Sequence, residues 1–243
     1  MIIVNLKGGL GNQLFQYAFG KSISKKFSKK FFIDNSAYLG SLKLKRDLWI
    51  DKFNFSFDGY YKNFKNAKIK TIINHIKSKA NFLLKTKIYF ENSYHYDSNI
   101  FKLDYRNNNY YFDGYWQSYK YFSENLMAIK DELNLDQHLN IDKNLIEEIS
   151  KDNNLSMHIR GGDYRYKPFI NFNGLLSSDY YNYCYDEIKK KINIKKVFLF
   201  TDDIEYLLQL SKNFKFKYDI ISARYTVSDI EDLALFSKSK NKI

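Results

Sequence analysis

The chain has 243 residues and one cysteine, Cys184. A lone thiol cannot close an internal disulfide, and it excludes a thiol-ligated zinc site. It fits a reducing compartment. There is one proline, Pro168, so proline-rich linkers are excluded. No run of about eighteen apolar residues occurs, which excludes an ordinary spanning helix. The opening run, Ile2-Ile-Val-Asn-Leu6, reads as a strand and lacks the basic-then-apolar pattern of a secretory signal. His75, His95, His138 and His158 lie far apart, with no paired metal-ligand spacing. Asp-x-Asp occurs nowhere, so the usual Mg or Mn clamp on a sugar nucleotide is missing. Gly-x-Ser-x-Gly is also absent, and Cys184 lies within a tyrosine-rich helical run, which argues against nucleophilic hydrolysis.

What is abundant is aromatic and basic. With 22 Tyr and 21 Phe the chain can bury a substantial core, as one large or two small domains. The formal net charge of +12 favours acidic partners. Nucleic acid, an anionic membrane and a nucleotide-linked substrate all qualify, and no recognised nucleic-acid motif is present. Between Gly59 and Phe90 there are eight Lys and no Asp or Glu. Ile69, Ile72, Ile73, Ile76, Ala80, Leu83 and Leu84 follow helical spacing there. The segment reads as a surface helix with solvated lysines, or as a basic amphipathic helix at an anionic membrane.

Lys7-Gly-Gly-Leu-Gly-Asn-Gln-Leu-Phe-Gln-Tyr-Ala18 runs from a strand through a glycine-rich turn into a helix. Leu14, Phe15, Ala18, Ile23 and Phe27 give that helix an apolar face. Asn12 is placed to cap its free N–H groups, and the same helix start could hold an anion. The pattern is neither Gly-x-Gly-x-x-Gly nor a P-loop. Phe31–Asp34 reads as the next strand of a parallel sheet. Tyr110–Trp116 reads as an aromatic strand, with a helix from about Tyr119 to Leu133. Its aromatics suit a core or a sugar platform.

The second half alternates strand and helix three times. Leu155–Ile159, Lys196–Thr201 and Phe216–Ile221 are the strands; Ser178–Ile192, Ile204–Ser211 and Ser228–Lys238 are the helices. Ser228-Asp-Ile-Glu231 is a capping box. Ligands of such sheets bind at the carboxyl ends of the strands. His158-Ile-Arg-Gly-Gly-Asp163 and Thr201-Asp-Asp203 both fall there. Arg160 offers a planar fork of donors for a leaving diphosphate, and Asp163 a carboxylate base for a hydroxyl. Asp202 and Asp203 suit a helix cap or hydrogen bonds from a ribose or base. The bland alternative is a strand and a tight turn with an exposed salt bridge.

Gly8-Gly-Leu-Gly-Asn-Gln-Leu-Phe-Gln-Tyr-Ala18, Gly114-Tyr-Trp-Gln-Ser118, His158-Ile-Arg-Gly-Gly-Asp-Tyr164 and Phe200-Thr-Asp-Asp203 stand in the order and approximate spacing of the bacterial α-1,2-fucosyltransferases of glycosyltransferase family 11. The resemblance spans nearly the whole chain. It implies an α/β, GT-B-like fold of two Rossmann-type lobes with parallel sheets. The N-terminal, acceptor-side lobe would cover residues 1–135, and the GDP-sugar lobe residues 153–243. It implies GDP-fucose as donor, no cofactor or metal, inversion, and transfer to a hydroxyl, typically of galactose, in a surface glycan such as an O-antigen. A cytoplasmic location is expected; on the membrane reading of the basic segment, the alternative to a solvated surface helix, contact with an anionic inner membrane would be peripheral. Arg160 matches the arginine that neutralises the β-phosphate, and Asn12 the asparagine near the donor phosphates. Gly9, Gly11 and Gln13 accompany Asn12 on the donor side. His158, Thr201, Asp202 and Asp203 match the guanosine side, and Tyr115, Trp116 and Gln117 the acceptor side. Asp163 is the candidate base.

Two departures accompany the resemblance. The family motif usually reads His-x-Arg-Arg-Gly-Asp, and Gly161 replaces the second arginine. The family's Asn-Ser-x-Phe-Ser-Trp-Trp-like segment, beyond a strand that follows the last helix, is not found before Ile243. The resemblance therefore suggests a shortened nucleotide lobe. Its alternative reading is a truncated or decayed family member that binds nucleotide or glycan without turnover.

Overall fold

A computed structural model describes residues 1–39, 47–61, 86–167, 170–171 and 174–243. The basic segment Ile69–Leu84 and Pro168 lie outside the described residues. The chain divides into two compact units, Met1–Asn134 and Leu135–Ile243.

The first unit holds a five-stranded parallel sheet in the order β3-β2-β1-β5-β4. Its strands are β1 (Ile2–Asn5), β2 (Phe31–Asp34), β3 (Gly59–Tyr60), β4 (Thr86–Phe90) and β5 (Asn109–Asp113). Ile2, Ile3 and Val4 are fully buried, as expected of a central strand covered on both faces. Helix α1 (Leu10–Phe27) follows the glycine-rich turn. Tyr17, Phe19, Phe31, Phe112, Trp116 and Tyr121 are buried in one cluster. The Phe19 and Trp116 rings stack at 4.4 Å. The helix expected from Tyr119 is shorter. Two 3₁₀ turns, Tyr119–Tyr121 and Ser123–Asn125, precede α2 (Leu126–Leu133). Tyr121 and Phe122 are drawn into the aromatic core there, and packing overrides the helical pattern.

The second unit opens on α3 (Lys143–Ile149). Its parallel sheet has the order β8-β7-β6-β9. The strands are β6 (Asn154–Ile159), β7 (Lys196–Thr201), β8 (Asp219–Ile220) and β9 (Asn241–Lys242). Helices α4 (Ser178–Lys189), α5 (Ile204–Leu210) and α6 (Asp229–Lys238) connect them. Strand side chains alternate between faces. Val197 and Leu199 join Leu155, Met157 and Ile159 in one core, while Phe198 and Phe200 join Ile149, Ile221 and Leu235 in another. The sheet is therefore covered on both sides, as in doubly wound folds. Strand β8 is shorter than the expected Phe216–Ile221. After α6 the chain pairs once more: β9 lies parallel to β6, and the His158 N–H donates to the Ile243 carbonyl at 2.9 Å.

Among the described residues no helix is long and apolar enough to cross a membrane.

Candidate active site

Strand order decides where ligands are expected. In the second unit the chain steps from β6 to β7 to β8 on one side and returns as β9 on the other. The carboxyl end of β6 is thus the switch point of this sheet. Arg160 follows it directly. The β6–β7 register pairs Ile159 with Thr201, so the next residues, Arg160 and Asp202, leave the sheet level with one another.

Their side chains meet. Arg160 Nη1 donates to Asp202 Oδ2. Its Nη2 donates to Asp163 Oδ1 at 2.6 Å. The guanidinium lies 4.7 Å from the centre of the Tyr164 ring. The other Asp202 oxygen accepts the Gly161 N–H at 2.8 Å. Asp203 is the N-cap of α5: its Oδ1 accepts the Tyr206 N–H at 2.9 Å, and its Oδ2 accepts Arg165 Nη1 at 2.9 Å and the Gly162 N–H at 3.2 Å. Burial works to raise the Asp203 pKa, but these donors outweigh it and the net shift is downward. Thr201 is buried and donates its hydroxyl to the Ile159 carbonyl at 2.7 Å, tying β7 to β6 beneath the site.

Arg160 and Arg165 thus face Asp163, Asp202 and Asp203. Arg160 and the Gly161 N–H converge on one carboxylate, which is also the geometry that holds a phosphate oxygen. Gly161 stands where the family motif carries a second arginine. A Cβ there would fall 2.8 Å from the Asp203 Cβ and 2.9 Å from the Tyr206 ring, so a side chain would force the α5 cap outward.

His158 is accessible, with Phe236 edge-on at 6.4 Å. Desolvation by the surrounding protein lowers its pKa; Asp202 opposes the shift and Arg160 reinforces it. Asp232, on α6, accepts hydrogen bonds from the Ser222 and Thr226 hydroxyls. Burial raises its pKa, the hydroxyls opposing. Arg165, Tyr164 and Asp232 were not singled out from the sequence. Their signal was position: each is at or near a carboxyl end of this sheet.

In the first unit the switch point lies between β1 and β5. Lys7 Nζ donates to Asp113 Oδ1 at 2.9 Å, Asn5 Nδ2 donates to the same oxygen at 3.1 Å, and Lys7 sits 4.6 Å above the Tyr115 ring. Gly8 has φ +83, and a Cβ there would fall 2.2 Å from Asn12 Nδ2. The turn therefore needs glycine for both conformation and space.

Two sequence expectations change here, for Asn12 and Gln13. Asn12 is not the cap of α1. Gly9 occupies that position, and the Asn12 side-chain Oδ1 accepts Gln117 Nε2 at 2.6 Å. Gln13, expected on the donor side, is fully buried. Its amide donates to the Gly8 and Asp47 carbonyls and accepts the Trp49 and Ile50 N–H groups, which fixes the loop below the turn. Trp116, expected on the acceptor side, is a core residue 1% exposed. The glycines divide as well: Gly11 is exposed with open space at its Cβ, whereas Gly9 is half-buried. Tyr115 is half-buried and Gln117 exposed.

Among the described residues no group of three or more His, Cys, Asp or Glu is arranged to hold a metal ion.

Two Rossmann-type α/β units, the second with an arginine–carboxylate cluster at its switch point, are the build of a GT-B-like glycosyltransferase. The chain belongs to glycosyl transferase family 11, which it matches over residues 1–243. It is 29% identical over 258 residues to the O-antigen biosynthesis glycosyltransferase WbnK of Escherichia coli, covering 98% of this chain and 84% of that protein. It is 28% identical over 253 residues to an alpha-1,2-colitosyltransferase of Escherichia coli, covering 100% of this chain and 83% of that protein. Among solved structures it aligns with fucosyltransferase NodZ from Bradyrhizobium at 14% identity and TM-score 0.46, over 98% of this chain and 80% of that one.

Proposed function

We propose that the chain transfers fucose from GDP-fucose to a hydroxyl of a surface glycan, O2 of galactose first, with inversion and without a metal. The observation that carries this reading is the half-buried fork of Arg160 at the carboxyl end of β6, beside the Gly161 N–H. Membership of family 11 supports glycosyl transfer, and the O-antigen glycosyltransferase relative supports a surface-glycan acceptor.

In this mechanism the diphosphate takes over the donors that now hold Asp202. Arg160 neutralises the charge that grows on the β-phosphate oxygen as its bond to the fucose carbon breaks. Asp163, beside Arg160, is the proposed base. Its carboxylate then accepts the proton of the acceptor hydroxyl as the new carbon–oxygen bond forms on the opposite face. The electron pair of the broken bond leaves with GDP, and single displacement inverts the carbon. Asn12 and the Gly9–Gly11 turn take the donor-phosphate side, and His158 the guanosine side.

The colitosyltransferase relative favours a second reading, transfer of colitose in place of fucose. Turnover of GDP-fucose with galactose-terminated acceptors, beside GDP-binding measurements, decides among these. A folded chain that does not bind GDP overturns the donor assignment. Saturable GDP binding without turnover of either sugar establishes a nucleotide-binding protein instead.

A further inference from the structure

Beyond the carboxyl end of β4, the Glu91 carboxylate accepts the Trp116 backbone N–H, and the Asp97 N–H donates to the Tyr121 hydroxyl. A cavity of about 250 Å³ opens there. This is just under the roughly 300 Å³ at which drug-sized pockets begin, a size suited to a single sugar ring.

Its walls are aromatic. Tyr89, Tyr96, Trp116 and Tyr121 line it, and Tyr96 is 37% exposed. Asp97 fixes two of these walls: its carboxylate accepts the Tyr89 hydroxyl at 2.6 Å, and its N–H donates to the Tyr121 hydroxyl at 2.8 Å. The tyrosine hydrogen bond is the chief cause of a lowered Asp97 pKa, so the group stays ionised. The rim is polar: Asn92, Ser93 and His95 are all exposed. The Trp116 indole N–H is itself buried, without a hydrogen-bond partner among the described residues, so Trp116 contributes ring surface and no donor to the cavity.

A pyranose has an apolar C–H face and a rim of hydroxyls, which matches aromatic walls under a polar rim. Charge narrows the class. In a chain of net charge +12, the described residues of this lining include Glu91 and Asp97 and, among them, no Lys or Arg. Lys26 and Lys120 instead line a separate cavity of about 90 Å³ that shares Tyr96 and Tyr121. An anionic sugar would meet two carboxylates. Glu91 also ties the cavity to the acceptor-side stretch, accepting the Tyr115 and Trp116 N–H groups at 2.6 and 3.0 Å.

We infer that this cavity is a carbohydrate subsite for one uncharged pyranose ring of the acceptor chain. The inference rests on the glycosyl-transfer reading above for its link to the acceptor. The test is ligand-observed NMR on the full chain with methyl β-galactoside, methyl β-glucoside, methyl N-acetyl-β-glucosaminide and methyl β-glucuronide. GDP is titrated in parallel. At least one neutral glycoside binds saturably, and the glucuronide binds at least about tenfold more weakly. Tyr96→Ala and Asn92→Ala each weaken the neutral ligand by roughly three- to tenfold, with GDP affinity unchanged. Asn92 is exposed, so its variant keeps the test valid if Tyr96→Ala fails to fold. Absence of neutral binding, equal binding of the glucuronide, or indifference to both substitutions overturns the subsite. Loss of GDP binding in a chain that still binds the neutral glycoside overturns the transferase reading instead.

Discussion

Arg160 and Asp202 leave neighbouring strands at the same level, and the guanidinium of one donates to the carboxylate of the other. The Gly161 N–H reaches the same carboxylate at 2.8 Å. An internal anion thus occupies the donors that the proposed mechanism assigns to a diphosphate. The pairing orients the guanidinium before any ligand arrives, at the cost that the ligand must displace a carboxylate.

Removing the guanidinium tests that role. Arg160→Ala should lower transfer at least about 100-fold, as loss of one charge-stabilising donor does elsewhere. The fold should survive, because the Arg160 side chain is 35% exposed and such pairs add little stability. Arg160→Lys keeps the charge but loses the fork, and should recover only part of the activity. Turnover beside a thermal melt reads both; near-normal turnover of Arg160→Ala refutes the assignment.

Asp203 links the α5 cap to the turn after β6. Asp203→Ala removes the acceptor for the Tyr206 N–H and the partner of Arg165. Loss of a cap costs about 1–2 kcal/mol, and urea unfolding should show a drop of that order. Asp203→Asn keeps the cap and loses the ion pair, so it should cost less.

Gln13 makes a separate prediction, since its amide supports the 47–50 loop entirely through backbone partners. Gln13→Leu leaves the buried Ile50 N–H and neighbouring groups without acceptors. The expected loss is on the order of 2–4 kcal/mol. Hydrogen exchange should accelerate at the Trp49 and Ile50 amides before the rest of the sheet. Unchanged protection there would show that the loop is held by something else.

Acid should weaken the second unit through Glu148. The Lys151 ammonium, then the Asn154 amide, push its pKa down from 4.5 to about 2. The folded pKa is depressed, so this stability is complete above pH 4.5 and is lost as pH falls towards 2. Glu148→Gln should flatten stability against pH in that window. The pair is partly solvated, so added salt should shrink the effect. An unaltered profile in the variant would exclude Glu148 as a contributor.

Legibility varied along the chain for identifiable reasons. β1, β2, β6 and β7 were legible because apolar runs bounded by turn residues mark buried parallel strands. α6 was legible because Ser228 caps it: the Ser228 hydroxyl accepts the Glu231 N–H at 3.2 Å, while the Glu231 carboxylate reaches one residue further back, to the Val227 N–H at 2.7 Å. β3, β8 and β9 have two residues each, too few for a periodic signal. Arg160 and the carboxylates after β7 could be named from position alone. Gln13 was misplaced because a polar residue beside a glycine turn looks the same whether it faces a ligand or a core. Lys7 and Asp113 lie 106 positions apart, and only the β1–β5 pairing brings them within 2.9 Å.

The sequence by itself determined the class of the protein: alternating strand and helix, motifs at strand ends, and a family pattern carried on local spacing. Local spacing suffices for these because turns, caps and strand ends are set by neighbouring residues. The tertiary structure decided which motif residues remain available. Burial and hydrogen-bond partners are set by distant segments, and they moved Gln13 into a supporting role. The same long-range packing levelled Arg160 with Asp202 and gathered Tyr89, Tyr96 and Trp116 around one cavity.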